Sequence, residues 1–203
     1  YYSKVLEVLP NLSSPFQESH AYYLLVEYKD NDQNLGAERF ESALFAQLES
    51  GLIDDALIAQ SHQDADKFWQ IRDGIGELFQ VLGPVSNQDV SLPLEQIGPF
   101  AEDLDQRLKA KYDNIGVLLF GHIGDNNLHV CAYTGRDEDK LKINEDIMHM
   151  IGEYSGAITA EHGVGVIKRD FLALSRTPSE IALMKTLKMA MDPKGILNPK
   201  RVI

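Results

Sequence analysis

The sequence predicts an α+β fold built around an antiparallel sheet. Strand-like runs of apolar and branched residues alternate along the 203 residues with segments whose apolar residues recur at helical spacing. The strand-like segment 114–122 is followed almost at once by a second one, 127–133. So short a connection joins antiparallel strands, because parallel neighbours need a crossover of roughly a dozen residues or more. We therefore favour α+β over a doubly wound parallel sheet.

Five segments are predicted strands because they are apolar or rich in aromatic and β-branched residues. They are 21–29, 55–61, 89–93, 114–122 and 127–133. The polar residues 30–34 (DNDQN) are expected to form a loop, and Pro93 ends the third strand. The glycine-rich segment 156–166 (GAITAEHGVGV) combines strand and loop character.

Five segments have apolar residues three or four positions apart and are predicted helices. They are 36–50, 61–78, 99–108, 138–154 and 178–191, and the first nine residues resemble the tail of an interrupted helix. Ser61 with Asp64, and Thr177 with Glu180, have the spacing of a capping box, which predicts two of the helix starts. Pro99 is expected to open the third helix, since proline is favoured at the first helical position.

The composition is that of a globular protein, with 44% hydrophobic and 25% charged residues. The net charge of -12, with scattered lysines and arginines, argues against nucleic acid and anionic membranes as partners. Cys131 is the single cysteine, which fits a reducing compartment, the cytoplasm or, in a eukaryote, the mitochondrion. No apolar run approaches the roughly 20 residues of a membrane span. Without an initiator methionine or a signal-peptide pattern, the chain is expected to be a fragment of a longer protein.

The stretch GHIGDNNLHV (121–130) places two histidines on either side of a turn. If Asp125 and Asn126 form a two-residue hairpin loop, His122 and His129 are cross-strand partners. Directly opposed β-carbons lie about 4.5–5.5 Å apart, a separation at which two imidazoles can bind one divalent metal. The same spacing is compatible with two histidines that lie side by side on a hairpin without a metal.

A third ligand would favour the metal, and the segment AEHG (160–163) offers Glu161 and His162. In an extended backbone these neighbours point in different directions, so one can bind the metal while the other faces a substrate. Two histidines and one carboxylate leave coordination positions open, which is typical of catalytic sites. The histidines without a companion pattern are expected at the surface: His20, His62 and His149.

Six motifs follow one another along the chain: SPFQESHAYYLLVE, FWQIRDGI, QDVSLP, GHIGDNNLH, AEHGVGVIK and MDPKGILNPKRVI. Together they resemble the C-terminal part of the FAD-linked oxidases, the group of D-lactate dehydrogenase, glycolate oxidase and D-2-hydroxyglutarate dehydrogenase. In that family an FAD domain precedes a ferredoxin-like cap domain that carries the substrate site. The resemblance implies that residues 1–155 are most of the cap, without its first strand and helix. Residues 156–203 would be a C-terminal segment with a helical tail that returns towards an FAD domain absent from this chain.

The resemblance also implies the roles of individual residues in the oxidation of a 2-hydroxy acid. His122, His129 and Glu161 would bind a divalent metal, often zinc, and His162 would take the proton of the substrate hydroxyl. The metal would lower the pKa of that hydroxyl while a hydride leaves the substrate for FAD. Arg72 and His162 would both contact the substrate. Arg72 would pair with the substrate carboxylate, because a guanidinium can hold a carboxylate through two hydrogen bonds. From its position alone, an arginine in a surface ion pair is the commoner interpretation.

Asn198, in the tail motif, would lie near the FAD by the same resemblance, whereas from the residues alone the tail simply closes the domain. The chain without its FAD domain is expected to be inactive. Neither the electron acceptor nor the oligomeric state follows from the sequence, and a homodimer is left open.

Three positions depart from the family pattern. Asn87 stands where many relatives have lysine, Cys131 where D-2-hydroxyglutarate dehydrogenases have asparagine, and Gly76 where those enzymes have threonine. Each change weakens the grip on a second carboxylate or on polar substrate atoms. The pattern therefore favours a different or smaller 2-hydroxy acid than D-2-hydroxyglutarate.

Three hypotheses follow for the function. The first is the substrate- and metal-binding part of a flavin-dependent D-2-hydroxy-acid dehydrogenase. The second is a metal-dependent hydrolase that uses the same two histidines and Glu161, with His162 activating water. The third is a binding module without catalytic activity, in which the histidines are incidental.

Overall fold

Residues 1–29 and 33–203 are described by the computed structural model, in which the chain divides into two units. One unit is 2–81, and the other consists of Tyr1 with 82–203. The predicted division at residue 155 concerns the longer protein and stays a prediction. None of the described helices is both long and apolar enough to cross a bilayer.

The regular structure in the first unit is helical. Its helices are α1 (Tyr2–Val8), α2 (Gln33–Glu49), α3 (His62–Asp73) and α4 (Ile75–Leu82). Helix α2 confirms the prediction at 36–50, while residues 30–32 of the predicted loop lie outside the described residues and α2 already includes Gln33. Ser61 caps α3 as expected, by accepting the N–H of Asp64 at 3.2 Å.

The predicted single helix 61–78 is in fact two helices, α3 and α4, which are separated by Gly74. A Cβ at position 74 would lie 2.9 Å from the Leu9 side chain and 3.0 Å from that of Val5. A glycine therefore lets the N-terminal residues approach the junction between the two helices.

The two strands predicted in this unit, 21–29 and 55–61, are wrong, because neither segment pairs with a strand in the described part of the chain. A high β propensity produces a strand only where a partner offers its backbone groups. In the second segment, local hydrogen bonds compete for those groups, since the Asp55 carboxylate accepts the N–H of Ala56 at 2.7 Å. Along the first segment, large apolar side chains such as Leu24 remain exposed.

One of the three histidines expected at the surface is half-buried. His20 packs edge-on against the rings of Phe16 and Tyr23, at centroid distances of 5.5 Å and 5.9 Å. His62 and His149 are exposed, as expected.

The second unit contains the sheet. Its elements are β1 (Ser86–Ser91), α5 (Leu94–Lys111), β2 (Gly116–His122), β3 (Asn127–Tyr133), α6 (Asp137–Glu153) and α7 (Pro178–Met191). The strand order is β1-β3-β2, with antiparallel pairing throughout. The α+β class is confirmed, and the order strand–helix–strand–strand–helix is the one found in ferredoxin-like folds.

One face of the sheet forms the core with α5 and α6. From β1 and β3, Val90, Leu128 and Val130 are among the side chains that contribute to this core. From the helices come residues at helical spacing, namely Phe100, Leu104, Leu108, Ile143, Ile147 and Ile151. Because side chains alternate along a strand, the odd-numbered residues of β1 and β3 lie on the other face, where several of them, such as Asp89 and Cys131, are also buried.

Helix α5 begins earlier than the sequence predicts. It starts at Leu94, after an N-cap at Pro93, and contains Pro99 in its second turn. The carbonyl of Pro93 accepts the N–H of Gln96 at 2.8 Å, which closes the first turn without any contribution from Pro99. In the second turn, Pro99 has no N–H to donate to the carbonyl of Glu95, so the helix lacks one hydrogen bond there.

The other predicted elements of this unit are confirmed with small shifts. Helix α6 matches the prediction at 138–154, and α7 begins with the predicted capping box of Thr177 and Glu180. In the segment 156–166, the described strand character is limited to one bridge between Ser91 and Ala157. After α7, the Asp192 carboxylate accepts the N–H groups of Ile196 and Leu197 at 3.0 Å and 2.9 Å, which orders the start of the tail.

Two glycines at the β2–β3 connection differ in the space around them, which gives a matched test of this hairpin. A Cβ at Gly121 would lie 2.2 Å from the backbone oxygen of Asn127, whereas one at Gly124 would have no atom within 4 Å. We expect Gly121→Ala to lower the free energy of unfolding by about 1–3 kcal/mol, because the strand must move. Gly124→Ala should leave it unchanged or raise it by up to about 1 kcal/mol. Chemical denaturation measures both, and equal effects would contradict the observed strand spacing.

Candidate metal and substrate site

The face of the sheet opposite the core carries both histidines of the hairpin. Asp89 of β1 and Phe120 of β2 are both paired with His129 of β3, while His122 is paired with Asn127. Paired residues point to the same face, so all five side chains belong to one surface.

The predicted hairpin register is wrong by two residues. The connection is not a two-residue loop of Asp125 and Asn126 but the four residues 123–126, which begin with a 3-10 turn over Ile123–Asp125. Asn126 adopts the left-handed conformation, with φ 56°, and donates its N–H to Ile123. A shift of two keeps the same side chains on the same face. His122 and His129 are therefore diagonal neighbours, with ring centroids 5.9 Å apart.

Glu161 completes a group of three possible metal ligands. One ligand atom from each of His122, His129 and Glu161 lies within 4.8 Å of the other two. Asp89, Glu161 and His162 form a second group by the same measure. The structure thus brings together the three residues that the sequence predicts as ligands, across a separation of more than 30 residues between the hairpin and Glu161.

The buried carboxylate of Asp89 determines where Glu161 and His162 lie. Its Oδ2 atom accepts the backbone N–H groups of Glu161 and His162, both at 2.9 Å, and that of Ala160 at 3.2 Å. The hydroxyl of Thr159 donates to the same oxygen at 3.3 Å. Consecutive N–H groups directed at one anion form a rigid turn, so the strand β1 fixes the loop 159–162.

Lys168 holds the same residue of β1 from its backbone side. Its ammonium group is buried and donates to the carbonyl oxygen of Asp89 at 2.7 Å. Burial lowers the pKa of Lys168, and the nearby Asp89 carboxylate partly offsets this effect. Residues 159–168 are consequently tied to Asp89 at both ends of the segment.

The electrostatics favour a neutral imidazole and an ionised carboxylate at these positions. Burial lowers the pKa of His129, and together with the diagonal neighbour His122 it outweighs the Asp89 carboxylate, which would raise this pKa. Burial alone would raise the pKa of Asp89, but the N–H groups of His162 and Glu161 outweigh it and hold the pKa below its usual value. A neutral imidazole is the form that binds a metal. The ring of Phe120 stacks on His129 at 4.9 Å, which restricts the orientation of the imidazole.

The donor set fits a divalent transition metal. Two imidazoles and one carboxylate are ligands that zinc accepts, and three protein ligands leave a fourth position for substrate or water. None of the three ligands is a thiolate, and Cys131, although it lies on the same face, is fully buried and donates to the Asn87 side chain at 3.3 Å. Burial raises the pKa of the Cys131 thiol to about 12.

His162 lies at the edge of this group with its side chain 60% exposed. Its Nδ1 atom is 3.8 Å from Oδ2 of Asp89, and its ring centroid is 6.0 Å from that of His129. Because Nδ1 is on the side of Asp89, the Nε2 atom on the opposite side of the ring faces away from that carboxylate. A base in this position can reach a molecule bound beside the three ligands.

Comparison with known proteins shows the family to which the chain belongs. Residues 3–202 match the family described as FAD linked oxidases, C-terminal domain. The chain belongs to this family. The resemblance predicted from the motifs is therefore confirmed.

Several similar proteins of this family are named as dehydrogenases of one hydroxy acid. D-2-hydroxyglutarate dehydrogenase, mitochondrial, from Arabidopsis thaliana is 39% identical over 98% of this chain and 35% of its own length. D-2-hydroxyglutarate dehydrogenase from Stutzerimonas stutzeri is 33% identical, over 95% of this chain and 42% of its own length. The mitochondrial enzyme of that name from Rattus norvegicus is 35% identical, over 95% and 36%. The chain thus spans about two fifths or less of these relatives.

The remaining predicted residues lie outside the group of ligands. Arg72 is in the last turn of α3, in the unit 2–81, with Nη1 3.7 Å from Oδ1 of Asp73. Asn198 is exposed in the tail, with φ 45°. Their roles towards the substrate carboxylate and FAD stay predictions. Gly76 lies in α4, where a Cβ would meet no atom within 4 Å.

Sequence reasoning missed the two residues that organise the site. Asp89 appeared only as part of a strand, and Lys168 only as part of a motif. The sequence does contain one signal for Asp89, which is that this carboxylate stands beside the apolar Val90 in a predicted strand. If such a strand is buried, the charge of Asp89 must be paired with another group. The sequence gives no hint that its partners are backbone groups about 70 residues away, because N–H groups are common to all loops.

The anchoring role of Asp89 can be measured at the loop it holds. In Asp89→Ala, the N–H groups of Ala160, Glu161 and His162 lose their acceptor, so their hydrogen exchange should accelerate. The free energy of unfolding should fall by about 1–3 kcal/mol, the usual cost of breaking buried hydrogen bonds to a charged group. Asp170→Ala, at an exposed carboxylate, is the control and should change neither quantity. Unchanged exchange at residues 160–162 in the Asp89 variant would show that the loop is ordered by other contacts.

Proposed function

We propose that this chain forms the substrate-binding and metal-binding part of a flavin-dependent D-2-hydroxy-acid dehydrogenase. The observation that carries the proposal is the convergence of His122, His129 and Glu161 beside His162. The family description supplies the link to FAD, and the relatives' names supply the class of substrate. The proposal includes an FAD-binding domain elsewhere in the longer protein, so this chain alone would be inactive.

The metal that we propose for the three ligands is zinc. The donors suit it, and the low pKa of His129 keeps that ligand unprotonated near neutral pH. Glu161 adds a carboxylate oxygen to the two imidazole nitrogens of the donor set. The hydrogen bond to Asp89 holds the backbone of Glu161 in place before any metal arrives, which reduces the entropy that binding must overcome.

His162 is the group that we propose as the base. When bound, the metal supplies Lewis acidity at the C2 hydroxyl and the flavin supplies the acceptor for a hydride. Nε2 of His162 takes the hydroxyl proton, while the Asp89 carboxylate, 3.8 Å from Nδ1, restrains the ring from its other side. Asp89 thereby positions both the ligand Glu161 and the base.

The substrate proposal is a 2-hydroxy acid that carries no second carboxylate, or a shorter one than the 2-hydroxyglutarate of the relatives' names. Arg72 is proposed to bind the C1 carboxylate. On the site face, the next cross-strand pair beyond Asp89 and His129 is Asn87 and Cys131, two neutral residues that hydrogen-bond to each other. A second carboxylate placed there would meet no cation from this pair. Asn198 is proposed to contact FAD.

The proposed partners and compartment rest on the sequence and on the names of the relatives. We propose no nucleic-acid partner, and leave the electron acceptor unspecified. The relatives from Arabidopsis thaliana and Rattus norvegicus are named as mitochondrial, so a eukaryotic source would suggest the same compartment here, and the cytoplasm otherwise. We leave the oligomeric state open between a monomer and a homodimer.

A substrate panel with the flavin-containing full-length protein tests the proposal directly. Under anaerobic conditions, D-2-hydroxy acids should bleach the flavin absorbance, with short monocarboxylic acids reacting faster than D-2-hydroxyglutarate. L-enantiomers should react far more slowly. Bleaching by L-acids alone would contradict the stereochemistry, and a preference for D-2-hydroxyglutarate would contradict the assignment of Asn87 and Cys131.

Substitution of the base should separate catalysis from metal binding. In the full-length protein, His162→Asn should lower kcat by roughly 10²- to 10⁴-fold, the usual contribution of a general base, with the zinc content unchanged. The double variant His122→Ala, His129→Ala should lose both activity and zinc. His149→Asn, at an exposed histidine of α6, is the control and should change neither. A His162 variant that keeps full activity would remove this residue from the mechanism.

A further inference from the structure

Asn127 is a buried polar residue whose side chain lacks hydrogen-bond partners. It is 2% exposed, and neither Nδ2 nor Oδ1 bonds to any other residue in the described part of the chain. A buried amide without partners costs stability, and such groups are rare in native proteins. The presence of a buried amide at this position therefore needs an explanation other than hydrogen bonds within the described part of the chain.

The backbone of Asn127 does not explain why this residue is an asparagine. Its pairing with His122 and Ser91 uses main-chain groups that any non-proline residue of β3 would provide. The left-handed turn conformation belongs to its neighbour Asn126. An apolar residue of similar size, such as leucine, would satisfy the strand and avoid the cost of burying the amide.

The surroundings of Asn127 point to the group of metal ligands. On β3 it lies two residues before His129, on the same face, and its cross-strand partner on β2 is His122. Asn127 and Glu161 also line one cavity of about 340 Å³, which contains Ser91, Asp125 and Thr159 as further polar groups. Asn127 therefore adjoins all three ligands: one along its strand, one across the hairpin and one across this cavity.

We infer that Asn127 is a positioning residue for the metal ligands, whose amide hydrogen-bonds to the Glu161 carboxylate when a divalent cation is bound. This inference rests on the proposed function, since it needs a cation at His122, His129 and Glu161. Carboxylates that bind metals are generally hydrogen-bonded in turn, and the loss of such a partner typically weakens metal affinity by roughly 10- to 100-fold. The amide is buried at a cost in the metal-free chain and contributes only once the site is filled.

The inference predicts opposite effects on stability and on metal binding. Asn127→Leu removes a buried amide that has no partner, so the metal-free chain should melt at the same temperature or higher. Its affinity for zinc, measured by titration of the full chain with zinc chloride, should fall roughly 10- to 100-fold. A purely structural role would instead lower the melting temperature and leave the affinity of the folded protein unchanged.

Asn144→Leu is the matched control. Asn144 is also buried, and its Oδ1 atom likewise has no partner among the described residues, but it lies on α6. Its substitution should leave zinc affinity unchanged. If Asn127→Leu fails to fold, Asn127→Ala, with the same two measurements, takes its place.

The outcomes separate this inference from the proposed function. Wild-type zinc affinity in the folded Asn127 variant would overturn the inference and leave the metal site intact. An equal loss of affinity in the Asn144 variant would overturn it as well, since the effect would then not be specific to the position. A wild-type chain that binds no zinc would refute the metal site itself, and the inference with it.

Discussion

The site depends on one interaction, the acceptance of backbone N–H groups by the buried carboxylate of Asp89. The loop 159–162 has no regular structure of its own, and its donors have no other described acceptor than this anion. With Lys168 bonded to the Asp89 carbonyl, the strand β1 holds the segment at two points. Glu161 and His162 owe their positions to a residue that is not one of the three proposed zinc ligands.

The sheet contributes a second constraint, which is the separation of its two faces. Alternation along β1 and β3 puts apolar residues such as Val90 and Val130 into the core and leaves Asp89, Asn127 and His129 on the other side. Helices α5 and α6, which pack on one face of the sheet, thus also restrict the motion of the strands that carry the polar residues of the other face. Because the histidines come from two paired strands, their separation is set by backbone hydrogen bonds rather than by flexible loops.

Some features of this arrangement could be predicted from the sequence, and others could not. The motif GHIGDNNLHV predicted a hairpin with both histidines on one face. The shared face is correct although the register was wrong by two residues, because side chains alternate with a period of two. The register itself could not be predicted, since either Asp or Asn can take the left-handed conformation that Asn126 adopts. The strand predicted at 21–29 failed because β propensity says nothing about whether a partner strand is present. Asp89 was missed because its partners are main-chain groups distant in sequence.

The central claim is that one ion can be shared by His122, His129 and Glu161. X-ray absorption at the zinc edge of the zinc-loaded chain tests it most directly, since the spectrum reports the nearest ligands. The structure predicts two imidazole nitrogens and at least one carboxylate oxygen at roughly 2.0–2.2 Å, without sulfur. A first shell of water oxygens alone, or one that contains the Cys131 sulfur, would contradict it.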